Sequence, residues 1–355
     1  MKTVFIFLIT TLISQGTYAY VNKLDEEWTS VSAPDIMSTT LIHQFDLLPL
    51  SGNAQKGQNF WSGDYWAFRN GSINYRWNDP SKEGFNLNSP SREEAANMSL
   101  DQLARLSPSE KYDLFTGRYH YPLKAFVDEK GDPGAESWEG ICHGWAPSSL
   151  NHSEPTPKNM VNPDGIVIPF GSSDIKALLS YYYAFEFKVA DTHQMGRRCE
   201  RGGFWGWSND CKQDLNAGAF HIVLANKIGI EGTGFMADLD RYKEVWNHPV
   251  YAYETVVTGT RKAKRDSAPG TVSVVLVETS VHYVDEAPST WDTVIGTEGQ
   301  RVLTKEFEYD LDIDANGKII GGEWHSRQRP DFLWTYEKAL IWVGQFDRLN
   351  ELLND

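Results

Sequence analysis

The chain has 355 residues, 41% of them hydrophobic and 23% charged, with a net charge of −15 at pH 7. That is enough apolar chain for one large domain with extensions, or two domains. The acidic balance repels nucleic acid and anionic membranes and excludes both as ordinary partners.

The N-terminus carries Lys2, an apolar run from Val4 to Ile13 and small residues up to Ala19. A basic start, a short apolar core and a small-residue cut site predict a signal peptide over residues 1–19, and hence a secreted or extracytoplasmic protein. No later stretch is apolar enough to span a membrane. Residues 20–130 are predicted to form an N-terminal arm and helical extension. The arm is polar and irregular to about residue 60, then aromatic around Trp61, Tyr65 and Trp66. In Ser107-Pro108-Ser109-Glu110 a capping Ser, a Pro at the first helical position and a Glu at the third predict a helix start, and Gly117 predicts its end. Residues 131–355 are predicted to be the catalytic domain, β-rich in its second half. Asp174–Phe185 is predicted as a helix capped by Ser172 or Ser173. Phe220–Leu224, Phe235–Leu239, Val272–Val277, His282–Val284 and Phe307–Ile313 are predicted as strands, and a C-terminal amphipathic helix carries Phe346, Leu349, Leu352 and Leu353. Helices first and sheet second give an α+β fold.

Three cysteines are present. In an exported chain an odd count suggests one pair and one free thiol. Cys199 and Cys211, close together in a Gly-rich segment, are the expected pair, which leaves Cys142 free. Cys142 stands in Trp138-Glu139-Gly140-Ile141-Cys142-His143-Gly144-Trp145. Flanking glycines allow close backbone approach, and a following helix would place the sulfur at a helix N-terminus. There the dipole favours a thiolate, and unpaired N–H groups can receive an oxyanion. The thiol needs a proton acceptor, usually a His held by a carboxylate. His221, polar within an apolar run, is the first candidate, and Asp238 on a neighbouring strand is its candidate partner. His143 is a rival base, but adjacent residues seldom face each other usefully.

Gly-Ile-Cys142-His-Gly-Trp, Phe220-His221, Asp238 and Val245-Trp246-Asn247-His248-Pro249-Val250 together resemble the transglutaminase elicitor family. That family comprises oomycete cell-wall transglutaminases and marine bacterial relatives. Ile319–Trp324 and Arg329–Trp334 fit the same pattern, and the resemblance spans about residues 60 to 345. It implies a papain-like, transglutaminase-like acyltransferase core with a Cys-His-Asp site. That site maps to Cys142, His221 and Asp238, with Asp240 as the alternative if the register is displaced. Trp138 is assigned to the oxyanion site, and Trp145 to shielding the intermediate. The implied reaction joins protein glutamine to protein lysine through a thioester, with no cofactor required. A cysteine peptidase or glutamine deamidase would use the same triad, and a non-catalytic recognition protein is the remaining alternative. In the family's exposed peptide, Gln stands where this chain has His248, and Arg-Gly-Phe where it has Tyr251-Ala252-Tyr253.

Calcium is the one metal to weigh, because the family's relatives are calcium-dependent. Asp312, Asp314, Asn316 and Glu323 match a calcium-loop pattern. The residues before Asp312 alternate as a strand does, so an Asn-Gly hairpin turn is favoured there.

Overall fold

A computed structural model describes residues 28–54, 60–81, 88–188, 192–198 and 215–353. The expected signal peptide, and Cys199 and Cys211 with their expected disulfide, lie outside the described residues.

A short strand β1 (Ser51–Asn53) comes first. Four short helices follow: α1 (Arg92–Asn97), α2 (Leu100–Ala104), α3 (Pro108–Phe115) and α4 (Pro122–Asp128). The first three each start at a serine that accepts the third backbone N–H while a Glu or Gln reaches back, a capping box at Ser91, Ser99 and Ser107. Gly117 ends the α3 segment in the left-handed conformation at φ +74°. The start of α4 is capped from outside: the Asp113 carboxylate of α3 accepts the N–H groups of Leu123 and Lys124 at 3.1 and 3.0 Å.

Then come α5 (Cys142–Asn151), a hairpin of β2 (Lys158–Val161) and β3 (Val167–Phe170), and α6 (Ser172–Tyr181). Helix α6 runs on as a π-helical turn to Glu186. Its cap is Gly171 rather than Ser172 or Ser173, because Asp174 reaches back to accept the Gly171 N–H. The other oxygen of that carboxylate accepts from the Trp77 indole, and the Lys111 ammonium pairs at 2.7 Å with the oxygen that caps Gly171. Both members of that ion pair are fully buried.

The remaining chain is β4 (His193–Gly196), α7 (Ala217–Leu224), β5 (Phe235–Asp238), β6 (His248–Lys262), β7 (Ser273–Val284), β8 (Val302–Ile313), β9 (Ile319–Trp324) and β10 (Phe332–Thr335). One antiparallel sheet has the order β4-β10-β5-β6-β7-β8-β9, with β1 on β6. The α+β expectation holds in its mixed helix and antiparallel sheet. Two predicted elements do not. Residues 217–224 form a helix, because the Asn216 side chain caps the Gly218 and Ala219 N–H groups and the run is apolar on every side. A short apolar run carries no period that separates a buried helix from a buried strand. The C-terminal helix is two short 3-10 turns, Gly344–Phe346 and Leu349–Leu352, which still bury Phe346, Leu349 and Leu352.

Side chains on a strand alternate between faces, and the sheet here separates two cores. Met236, Phe332 and Trp334 belong to one, with α3, α5 and α6. Phe235, Ala237 and Leu333 belong to the other, with α7.

Candidate active site

Cys142 is the first residue of α5 and is buried, with only 5% of its surface exposed. Gly140 lets the chain reach this point, since a Cβ there would sit 2.4 Å from the Tyr65 carbonyl. Gly144 lets α5 lie on α6, since a Cβ there would meet the Ser180 carbonyl at 2.0 Å. The peptide N–H groups of Cys142 and His143 fall in the first turn, where a helix has no internal acceptor.

The segment entering β6 covers the sulfur. The thiol lies 3.7 Å from the Val245 carbonyl, its acceptor, and the Asn247 side-chain amide donates to Sγ at 3.6 Å. Asn247 is held in turn by the Trp334 indole at 2.7 Å. Burial pushes the Cys142 thiol up to about 11, against the lowering effect of the Asn247 contacts. The nearby carboxyls of Glu286 and Asp238 push it the same way.

Asp238 ends β5, which packs on α5, but His221 does not join them. His221 lies on α7 in the second core, fully buried, with Nδ1 2.9 Å from the Tyr309 hydroxyl and its ring beside Phe45. Cys142 belongs to the first core, so the sheet stands between them. The expected pairing of His221 with Cys142 is thus corrected. It rested on residues 220–224 being a strand beside β5, and they form a helix packed on β8 and β9. Burial lowers His221 to about 4, so it is a neutral core histidine. Asp238 is held well above the usual carboxylate range by burial, with Asp331 and Asp240 adding to it. Asp240 turns away to Lys305, 3.2 Å distant. The His143 ring packs edge-on against Phe185 and is absent from the partners of Sγ.

A different histidine lies next in the chain to the residue that touches the thiol, with its ring on the Ala237 and Tyr283 side of the sheet. His248 follows Asn247 directly and opens β6. Its ring packs on Tyr283 at 4.8 Å, and Nδ1 is 3.8 Å from the Asp285 carboxylate just beyond the end of β7. Arg301 anchors the other Asp285 oxygen at 2.6 Å. Glu286 completes the group: donor atoms of His248, Asp285 and Glu286 all lie within 4.8 Å of one another. Burial lowers His248 to about 4, although Asp285 favours its charged form. The sequence held a signal for this group: an Asn-His pair opening an apolar run, and an Asp-Glu pair closing a Val-rich one.

Trp145 is a core residue packed on Gly63. Trp138 is at the rim: its indole donates to Glu136 at 2.8 Å and Arg198 lies 5.6 Å above its ring. Glu136 also pairs with Lys243, tying the loop before α5 to the segment that covers the thiol.

The four calcium-pattern residues sit on the β8–β9 hairpin and are already partnered within the protein. Asp312 accepts the Ala268 N–H, Asp314 accepts the Asn316 and Lys318 N–H groups, and Glu323 pairs with Lys264. Gly317 has φ +78°, so the expected Asn-Gly turn is formed. Among the described residues no helix is long and apolar enough to cross a membrane.

No curated protein sequence matches the chain. Among solved structures, it is similar to the crystal structure of the GP42 transglutaminase from Phytophthora sojae. The TM-score is 0.65 and the identity 22%, over 88% of this chain and 92% of that one. The family profile described as transglutaminase elicitor matches residues 129–339, more than half of the sequence and all of the site above. The chain belongs to the transglutaminase elicitor family.

Proposed function

We propose that this chain is a secreted protein-glutamine acyltransferase of papain-like design, with Cys142 as nucleophile and His248, beside Asp285, as proton acceptor. The observation that carries the reading is the thiol at the start of α5, packed against the Val245–Asn247 segment that leads straight into His248. Family membership and the fold shared with the GP42 transglutaminase support it. The thiol rests protonated against Val245. A glutamine side chain entering the site displaces that contact, and the thiol proton passes to His248. The sulfur attacks the carboxamide carbon. The first-turn N–H groups of α5 receive the oxyanion, with the Asn247 amide beside them. His248 returns the proton to the leaving nitrogen, ammonia departs and a thioester remains. A lysine amine then attacks the thioester, loses its proton to His248, and leaves an isopeptide bond with the thiol restored. The Asp285 carboxylate, 3.8 Å from Nδ1, favours the imidazolium that forms. No metal enters these steps.

The test is one protein substrate with three readouts: ammonia release, incorporation of a labelled primary amine, and peptide-bond cleavage. Amine incorporation with ammonia release, lost in Cys142→Ala, is expected. Ammonia release with no incorporation at any amine concentration would make it a deamidase, and chain cleavage would make it a peptidase.

A further inference from the structure

We propose that His248, Asp285 and Glu286 form a binding site for a divalent transition-metal ion of the zinc class, and that the ion shuts the enzyme off. Three donors converge here, one imidazole nitrogen and two carboxylate oxygens, all within 4.8 Å of one another. A shift of less than an ångström by flexible side chains brings such a set onto one ion at about 2.0–2.2 Å.

Two further observations point to a ligand. His248 Nδ1 and Glu286 Oε1 are shielded from solvent and have no hydrogen-bond partner, a costly arrangement for buried polar atoms unless something else satisfies them. Asp285 is oriented from behind by Arg301, which takes its second oxygen and leaves the first turned toward His248. That is the outer support by which metal-ligating carboxylates are held. Bound there, the ion's charge would offset that of the two carboxylates. Three protein ligands leave a fourth position for water.

The other cluster of this type, Asp310, Glu323 and His325, differs in kind. Arg261 and Lys264 already pair with Asp310, and Lys264 also pairs with Glu323, so cations of the protein occupy it. The binding site itself does not depend on the proposed chemistry. The inhibition does, because it removes His248 as a proton acceptor.

The test is calorimetric titration of zinc chloride into the full chain carrying Cys142→Ala, which removes the free thiol as a competing ligand. One saturable site at micromolar zinc is expected, weakened by about tenfold or more in Glu286→Gln and in His248→Gln, with His325→Gln unchanged. Circular dichroism melts confirm that each variant is folded. No saturable binding, or binding that survives both Glu286→Gln and His248→Gln, overturns the site, as does binding lost only in His325→Gln. Zinc inhibition of amine incorporation by the unmodified protein, reversed by a chelator, then tests the regulatory half. Binding without inhibition would refute the switch and count against His248 as base while leaving the metal site standing.

Discussion

At the scale of single residues, the thiol and two histidines carry the predictions. A Cys142 thiol raised to about 11 by burial is mostly protonated at neutral pH in the covered arrangement. Alkylation of the unliganded protein should therefore climb about tenfold per pH unit through the alkaline range, because the thiolate is the reactive form. A rate that levels off below pH 8 in a stopped-flow alkylation series would show that the resting thiol is already ionised. His248→Ala should cut amine incorporation by about a hundredfold or more, the scale of a lost general base, with the melting temperature nearly unchanged. His221 should behave in the opposite way. Its folded pKa of about 4 lies below the unfolded value near 6.5, so the unfolded chain binds the extra proton. The stabilisation is fully present above pH 6.5 and is lost as pH falls toward 4, on the order of 3 kcal/mol. Urea unfolding at pH 4.5 and 7.5 should show a smaller pH difference in His221→Gln than in the unmodified protein. An equal difference in both would remove His221 from the account. His143 is the instructive rejection: chain adjacency to Cys142 sends its ring outward to Phe185.

At the scale of elements, the clearest sequence signals were local ones. Ser107, Pro108 and Glu110 specify a helix start through bonds made within four residues, and that helix is present at the expected place. Asn316-Gly317 specifies a turn by the left-handed conformation it needs, and β8 and β9 meet there. Residues 220–224 failed as a strand because an all-round apolar run has no local preference strong enough to decide. The packing of α5 on α6 gives a test at this scale. A methyl on Gly144 has no room beside the Ser180 backbone, so Gly144→Ala should destabilise by about 1–3 kcal/mol or more. It should also lower activity by displacing the helix that carries Cys142. A chemical-denaturation midpoint equal to that of the unmodified protein would contradict the close approach.

At the scale of the whole molecule, the N-terminal segment is woven into the sheet. Strand β1 pairs with β6 at Ala252–Glu254, just where β5 stops pairing with it at Val250. The backbone at His43 and Phe45 bonds to Ile319 and Gly317 of the β8–β9 hairpin. Removing residues up to Asn53 would leave a sheet edge unpaired. It should lower the melting temperature and promote self-association, both readable by calorimetry and light scattering. A truncated protein that melts as the full chain does would make this segment a detachable arm. The fully buried pair Lys111–Asp174 joins α3 to α6 within the first core. Lys111→Met should cost about 3–5 kcal/mol in equilibrium unfolding, because it strands a buried carboxylate. A loss under 1 kcal/mol would show that water reaches the pair.

The sequence by itself determined the capped helices, the hairpin and the family, and singled out Cys142 as the candidate nucleophile, because each depends on residues close together in the chain or on a distinctive string of them. Cys142 between two glycines needed no partner to be recognised. Only the tertiary structure separated His221 from the thiol. His221 and His248 each sit at an apolar run, and nothing local distinguishes them. A sheet one layer thick puts the first in the opposite core and brings the second, with Asp285 and Glu286 from a strand end far along the chain, to the segment that covers the thiol. Such a grouping is set by strand order and register, which arise from the packing of both faces at once.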